Sequence, residues 1–194
     1  QGAYRLLRAS KHRFGSIEEV GVFAMTEKGM IPVENPSAMF LQERTAGAGS
    51  VVTCVMEGNR PFLVEIQALV DKSFFPNPVR RTSGYDAGRL QMLLAILSKR
   101  AGARVYDQDV YVNVVGGMKI DAPSADLAVA AAILSAISNV PFPPETLVIG
   151  ELGLGGEVRT VPFLERRTKE AGRLGFKVIL GPCKIKNVKD ILPK

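Results

Sequence analysis

The sequence predicts an α+β fold in which hairpins come first and βαβ units later. Three observations carry this. Residues 19–69 alternate apolar and polar positions around short glycine-bearing turns, as half-buried strands do. From Tyr85 onward the apolar spacing changes to three and four, the period of a helix packed on one side. Hydrophobic residues make up 46% of the 194, ample for a core, yet no window approaches the roughly 18 uninterrupted apolar residues of a membrane span.

Residues 1–17 alternate little and carry charge, which predicts a basic linker arm ahead of one domain over residues 18–194. Glu19 to Thr26 alternates through Val20, Val22 and Ala24, Glu27-Lys28-Gly29 turns, and Met30 to Val33 returns. Val51 to Glu57 and Pro61 to Leu69 form a second hairpin around Gly58-Asn59-Arg60. Pro76-Asn77-Pro78 breaks the chain. Tyr85 to Arg100 is an amphipathic helix with Leu90, Leu93, Leu94 and Leu97 on one stripe, closed by Ala101-Gly102-Ala103. Asp109 to Val115 suits a sheet interior. Pro123 to Ser138 is an alanine-rich helix, with Leu127, Ala130, Ala131 and Leu134 facing its neighbours and proline in the first turn, where no amide donor is needed. Leu147 to Leu154 is a strand, Gly155-Gly156 a turn into Glu157-Val158-Arg159, Phe163 to Leu174 a helix stopped by Gly175, Lys177 to Leu180 a strand, and Val188 to Leu192 a short helix. No internal repeat or low-complexity segment interrupts this order.

The start, Gln1-Gly2-Ala3-Tyr4-Arg5, has neither an initiator methionine nor a signal-peptide pattern, which predicts a chain cut from something longer. Cys54 and Cys183 lie in apolar contexts and are expected as buried free thiols of a cytoplasmic protein. Two cysteines and His12 cannot supply a four-ligand zinc site, so no metal is expected here. The net charge of +6 is unevenly spread: residues 1–156 hold fifteen Lys/Arg and fifteen Asp/Glu, whereas residues 157–194 hold ten and four. A second basic cluster is Arg5, Arg8, Lys11 and Arg13. Such surfaces attract polyanions by Coulomb attraction and counterion release, though a solvated helix face explains the same counts.

Asn113-Val-Val-Gly-Gly-Met-Lys119-Ile-Asp-Ala-Pro-Ser124-Ala-Asp126 reads as a strand, a glycine-rich turn and a helix start. A serine there meets free backbone amides that suit a developing oxyanion, but it is equally a place for a capping hydroxyl. Asp126 favours that helix terminus electrostatically. Asp-Ala-Pro-Ser-Ala resembles the serine site of Lon-type Ser-Lys peptidases, and Gly150-Glu151-Leu152-Gly153-Leu154-Gly155-Gly156-Glu157-Val158 resembles the strand and hairpin that precede their lysine. Continued without gaps, that resemblance puts Glu165 where the lysine belongs, with Lys169 one helical turn further on. A Ser-Lys dyad needs a neutral amine at the hydroxyl. Ser124 and Glu165 are therefore expected to be vestigial; the alternative is an active serine peptidase using Ser124 with an unusual base.

Lys11-His12-Arg13-Phe14-Gly15, Gly21-Val-Phe-Ala-Met25, Asn35-Pro-Ser37, Leu63-Val-Glu65-Ile-Gln-Ala-Leu69-Val and Asp107-Gln-Asp109-Val resemble the RadA (Sms) family of bacterial DNA repair and recombination proteins, over residues 11 to about 190. What the resemblance implies is a C-terminal Lon-protease-like domain, of the ribosomal protein S5 domain 2-like type, that forms rings without peptidase activity. It implies a DNA-dependent ATPase or helicase promoting branch migration, with ATP and Mg in a RecA-like core and zinc in an N-terminal finger. Neither a zinc cluster nor a phosphate-binding Gly-x-x-x-x-Gly-Lys-Ser/Thr loop occurs in this chain. It further implies homo-oligomers, as hexamers, a RecA-type recombinase as partner, single-stranded and branched DNA held without sequence preference, and no membrane. Lys11, Arg13, Phe14 and Gly15 match its Lys-Asn-Arg-Phe-Gly motif, with His12 for Asn, and are expected to approach nucleotide bound by a neighbouring subunit. For DNA contacts, cations in glycine-bordered turns are favoured because such turns hold and project a side chain: Arg60, Lys119 and Arg159 first, then Arg80 and Arg81. Arg166, Arg167, Lys169 and Arg173 are expected on an exposed helix face. With no aromatic-interleaved surface in the sequence, backbone contacts are expected without base readout.

Overall fold

In the computed structural model, which describes residues 4–8, 20–27, 29–74 and 76–191, the first hairpin becomes a three-stranded antiparallel sheet of β1 (Tyr4–Arg8), β2 (Val20–Thr26) and β3 (Gly29–Pro32). Val20 and Val22 face inward, as their alternation requires. Residues 4–8, expected within the arm, instead pair with β2 from Tyr4↔Ala24 to Arg8↔Val20. The pattern of β1 is too short and charged to announce a strand; β2 supplies the ladder it completes.

A short helix α1 (Pro36–Leu41) follows, capped by the Asn35 side chain, which accepts the Ala38 amide proton at 3.1 Å. Then come β4 (Ser50–Glu57), β5 (Arg60–Lys72), β6 (Arg80–Ser83), α2 (Ala87–Arg100), β7 (Gln108–Val114), a 3-10 turn (Pro123–Ala125) running into α3 (Asp126–Ser138), β8 (Thr146–Val148), β9 (Glu151–Leu152), β10 (Val158–Arg159), α4 (Leu164–Arg173), β11 (Val178–Leu180) and a last 3-10 turn (Val188–Asp190). The last turn is shorter than the helix expected from Val188, and Leu192 lies outside the described residues. The strand expected over Leu147 to Leu154 splits at Ile149-Gly150 between two sheets. Gly150 passes so close to α3 that a Cβ there would lie 3.1 Å from Leu127.

The main sheet has the order β11-β8-β4-β5-β7-β6. Strands β11, β8 and β4 are mutually parallel, β7 and β6 are parallel, and β5 runs antiparallel to both its neighbours. The units β6-α2-β7 and β8-α4-β11 are βαβ segments; the second joins strands and a helix that the sequence predicts, whereas β6 is an additional strand. The fold is thus a mixed α/β single domain with a six-stranded mixed sheet and four helices among the described residues.

Residues of opposite parity cover the two faces of the sheet. Val51, Val55, Phe62, Val64, Ile66, Val110, Val112 and Val114 pack with α2 and α3. Helix α3 is buried from Asp126 to Ser135 on every side, which its alanines permit because small side chains let neighbours approach all round. Val52, Cys54, Leu63, Leu147 and Ile149 meet Ala171 of α4 and Phe176 on the other face. This second cover stops at β5. Where β7 ends opposite Ile66, α1 takes over the free edge, and the Leu63 amide donates to Ser37 Oγ at 3.0 Å. Beyond it the second face of β5, β7 and β6 is open. Two glycines hold close crossings in this frame: at Gly49 (φ 84°) a Cβ would stand 2.2 Å from the Ala68 carbonyl oxygen, and at Gly84 (φ 78°) 2.3 Å from that of Met118.

Candidate nucleic-acid interface

Chemistry at Ser124 would need access and a base. The serine sits in the 3-10 turn before α3, tied to the next strand because the Gly150 amide donates to its carbonyl at 3.1 Å and the Leu127 amide donates to Gly150 O at 3.0 Å. It is only 3% exposed, and its Oγ has no hydrogen-bond partner among the described residues. Neither residue at or near the lysine position reaches it: Glu165 and Lys169 stand exposed on α4. Neither group lies within hydrogen-bonding reach of that hydroxyl in this structure.

Asp126 does more than favour a helix terminus. Only 1% exposed, it accepts hydrogen bonds from Tyr85 Oη at 2.7 Å, from Arg89 Nε at 2.6 Å and from Arg89 Nη2, and the Leu152 amide approaches its Oδ2 at 3.5 Å. One carboxylate thereby joins the starts of α2 and α3 to β9. Burial, and then the carboxylate beside it, push the Tyr85 hydroxyl well above its usual value; the hydrogen bond to Asp126 raises Arg89. Sequence reading missed both partners.

The turn cations divide by what holds them. Lys119 is exposed and makes no ion pair or hydrogen bond among the described residues; it precedes Ile120, which bridges to Tyr85. Arg159 stands opposite Glu151 across β9 and β10 and is paired with Glu157 and, at 3.9 Å, with Glu151. Hydrogen bonds from its own backbone amide, and then from Arg159, hold the Glu157 carboxyl below the usual range. Arg60 is corrected. It opens β5 on the same face as Phe62, so it folds inward, half-buried, donating to the carbonyl of Glu34 at 3.1 Å with its guanidinium 5.5 Å from the Phe62 ring centre. Arg80 is exposed but donates to Val105 O at 3.2 Å at the opposite end of the sheet, and Arg81 beside it is exposed and has no partner among the described residues.

Arg167 is also corrected, from exposed face to buried staple at 3% exposure. It lies on the Leu164, Ala171, Leu174 stripe of α4, so it must point at the sheet, where it donates to the Cys54 carbonyl and to Pro162 O at 3.0 Å. Arg173 pairs with Glu170 at 2.8 Å, Arg166 lies 5.6 Å from the Phe163 ring centre, and Lys169 is exposed. Cys54 is buried and its thiol is pushed up to about 12, chiefly by burial; Cys183, expected buried, is exposed. Lys11, His12, Arg13, Phe14 and Gly15 lie outside the described residues. Among the described residues no three His, Cys, Asp or Glu side chains are grouped to hold a metal, and no helix is long and apolar enough to cross a membrane.

A second group of polar residues, unassigned in the sequence reading, lines a cavity of about 510 Å³ on the open face of the sheet, bounded by residues 39, 40 and 42–44 and by Glu65, Gln67, Ser83, Asn113 and residues 114–117. The signal for it was present: Glu65 and Gln67 interrupt the apolar strand Leu63 to Leu69 at positions of the same parity.

Residues 90–184 match the family model described as subunit ChlI of Mg-chelatase. Proteins named DNA repair protein RadA are similar over almost the whole chain. That of Pseudomonas aeruginosa is 54% identical over 182 residues, which are 93% of this chain and 40% of the relative. That of Bacillus subtilis is 50% identical over 181 residues, again 93% and 40%. That of Escherichia coli is 49% identical over 181 residues, 93% and 39%. The chain thus spans about two fifths of the length of these relatives.

Proposed function

We propose that this chain, homologous over 93% of its length to a segment of the RadA DNA repair proteins, is a Lon-like domain without peptidase activity that holds DNA and assembles into a ring. Homology supports the role in DNA repair and recombination. The observation that carries the non-proteolytic part is Ser124: a nucleophile buried to 3% exposure, with no group in hydrogen-bonding reach among the described residues. In a longer protein, the ring would be a hexamer stacked on an ATPase that uses ATP and Mg to drive branch migration beside a RecA-type recombinase, with Lys11 and Arg13 approaching nucleotide across a subunit boundary.

The cations refine the DNA part. Arg60 is engaged by backbone carbonyls and Arg159 by two carboxylates, so neither is free to meet a phosphate without leaving a partner. Lys119, in the turn after β7, is free among the described residues, and it is the contact this reading depends on most, with Arg81 second. The contacts expected are to phosphates of single-stranded or branched DNA.

The test is a DNA titration at two salt concentrations with light scattering on the same samples. Lys119→Ala should weaken binding uniformly across sequences, flatten the salt slope by about one, and leave the melting temperature unchanged. Arg60→Ala should lower the melting temperature and leave the slope alone. Salt-insensitive binding, or a chain that stays monomeric throughout, defeats the reading. So does a serine-directed phosphonate that labels Ser124.

A further inference from the structure

A carboxylate removed from water normally faces a cation or several donors, since it has room for about four hydrogen bonds. Glu65, at 2% exposure, has one: Ser50 Oγ donates to its Oε1 at 2.6 Å. Arg44 reaches it only at second hand, its Nε donating to Ser50 Oγ at 3.3 Å while its Nη1 is spent on the Pro144 carbonyl at 2.8 Å. Burial lowers the Arg44 pKa, and the charge of Glu65 only opposes that effect. Among the described residues Glu65 forms no ion pair, and it lines the cavity.

The register explains what else lines it. Gln67, Asn113 and Ser83 pair directly across β5, β7 and β6, forming one polar row on the same face as Glu65. All three are exposed, and none gives its polar end to a hydrogen bond among the described residues. The next row is Leu69, Tyr111 and Arg81. Leu69 is 63% and Tyr111 38% exposed, and Arg81 has no partner among the described residues. From the deep end outward the face therefore offers an anionic acceptor, two amides and a hydroxyl, a flat apolar surface, and a cation.

We propose that this face binds a nucleotide with a guanine base. Guanine carries adjacent N1–H and N2–H donors on one edge, which a carboxylate accepts together, and an O6 acceptor that the Asn113 or Gln67 amide can meet. Its ring face lies on Leu69 and Tyr111, and its phosphate on Arg81. A bare anion does not suit the deep end, where Glu43 and Glu65 outnumber an Arg44 that is already engaged. The guanidinium of a second copy would satisfy Glu65 but leaves Arg81 without a role. The cavity is of the size that small ligands occupy. The inference rests on the DNA reading and deepens it, adding a preference for guanine at one position of a strand otherwise held by its backbone.

Calorimetric titration of the chain with the deoxynucleoside monophosphates of guanine, hypoxanthine and adenine tests it, hypoxanthine lacking only the 2-amino group. The guanine nucleotide should bind at least tenfold more tightly than the others. Glu65→Gln should lose the preference over hypoxanthine, and the double variant Asn113→Ala/Gln67→Ala, at two exposed positions, the preference over adenine. Arg81→Ala should weaken the monophosphate but not free deoxyguanosine. Equal affinity for the three bases, or an unchanged preference over adenine in that double variant, overturns the proposal. Oligonucleotides bound regardless of guanine content would overturn it while leaving the DNA reading intact. Binding of the guanine nucleotide but of no oligonucleotide would uphold the site and sink that reading. If Glu65→Gln dissociates oligomers without altering nucleotide affinity, the face joins copies of the chain and the proposal is wrong.

Discussion

Two buried carboxylates sit on opposite faces of the same sheet, and they are held in opposite ways. Asp126 is surrounded by donors from Tyr85, helix α2 and a strand; Glu65 has one hydroxyl and an open cavity. The first behaves as a staple, because removing it would strand a guanidinium and a phenol. The second is an incomplete coordination shell whose loss strands little. A buried charge thus marks either architecture or recognition, and its partners decide which.

The largest effect should come from Asp126→Ala. Leaving Arg89 without its partner should cost about 3–5 kcal/mol in urea unfolding; a loss below about 1 kcal/mol would remove the distinction. Cys54 extends the test to a buried group of no charge. Its folded pKa is raised from 9.0 to about 12, so its contribution to stability is whole below the usual thiol range and is lost as pH climbs through that window. One thiol per native chain, that of Cys183, should react with a thiol reagent at neutral pH, and two after unfolding; two at once would contradict the burial. Glu65→Gln should change stability by no more than about 1 kcal/mol in either direction, since it removes a buried charge but can keep the Ser50 contact. A loss as large as that of Asp126 would make Glu65 a staple as well. Smallest of all, Ser124→Ala should be neutral or gain up to about 1 kcal/mol, because it deletes an unpaired buried hydroxyl. A substantial loss would reveal a partner for that Oγ.

Much of the frame was legible in the sequence because it is made by periodicity. The hairpins, α2, α3 and α4 all follow from apolar spacing, and the turn at Gly58-Asn59 follows from its residues. Strand β6 was not legible: Arg80-Arg-Thr-Ser is an edge strand with an open outer face, so nothing selects an apolar pattern. The inward turn of Arg60 and Arg167 was not anticipated for a different reason. Both were judged by their local surroundings, a turn and a basic run, when strand parity with Phe62 and the helical stripe through Leu164 and Ala171 already turned them inward. The network at Asp126 joins residues 85, 89, 126 and 152, which only the tertiary fold brings together. The polar row at Glu65 could be seen as odd residues in a strand, but its meaning depends on which face α4 leaves uncovered.

Gly49 and Gly84 make the two kinds of position separable across natural variants. Any side chain at either would collide with a main-chain oxygen in a backbone conformation that L-residues avoid, so descendants keeping this scaffold are bound to glycine there whatever they recognise. Gln67, Asn113 and Ser83 carry no such obligation. Their drift or persistence over time would record the history of a ligand, on a background clock set by the two glycines.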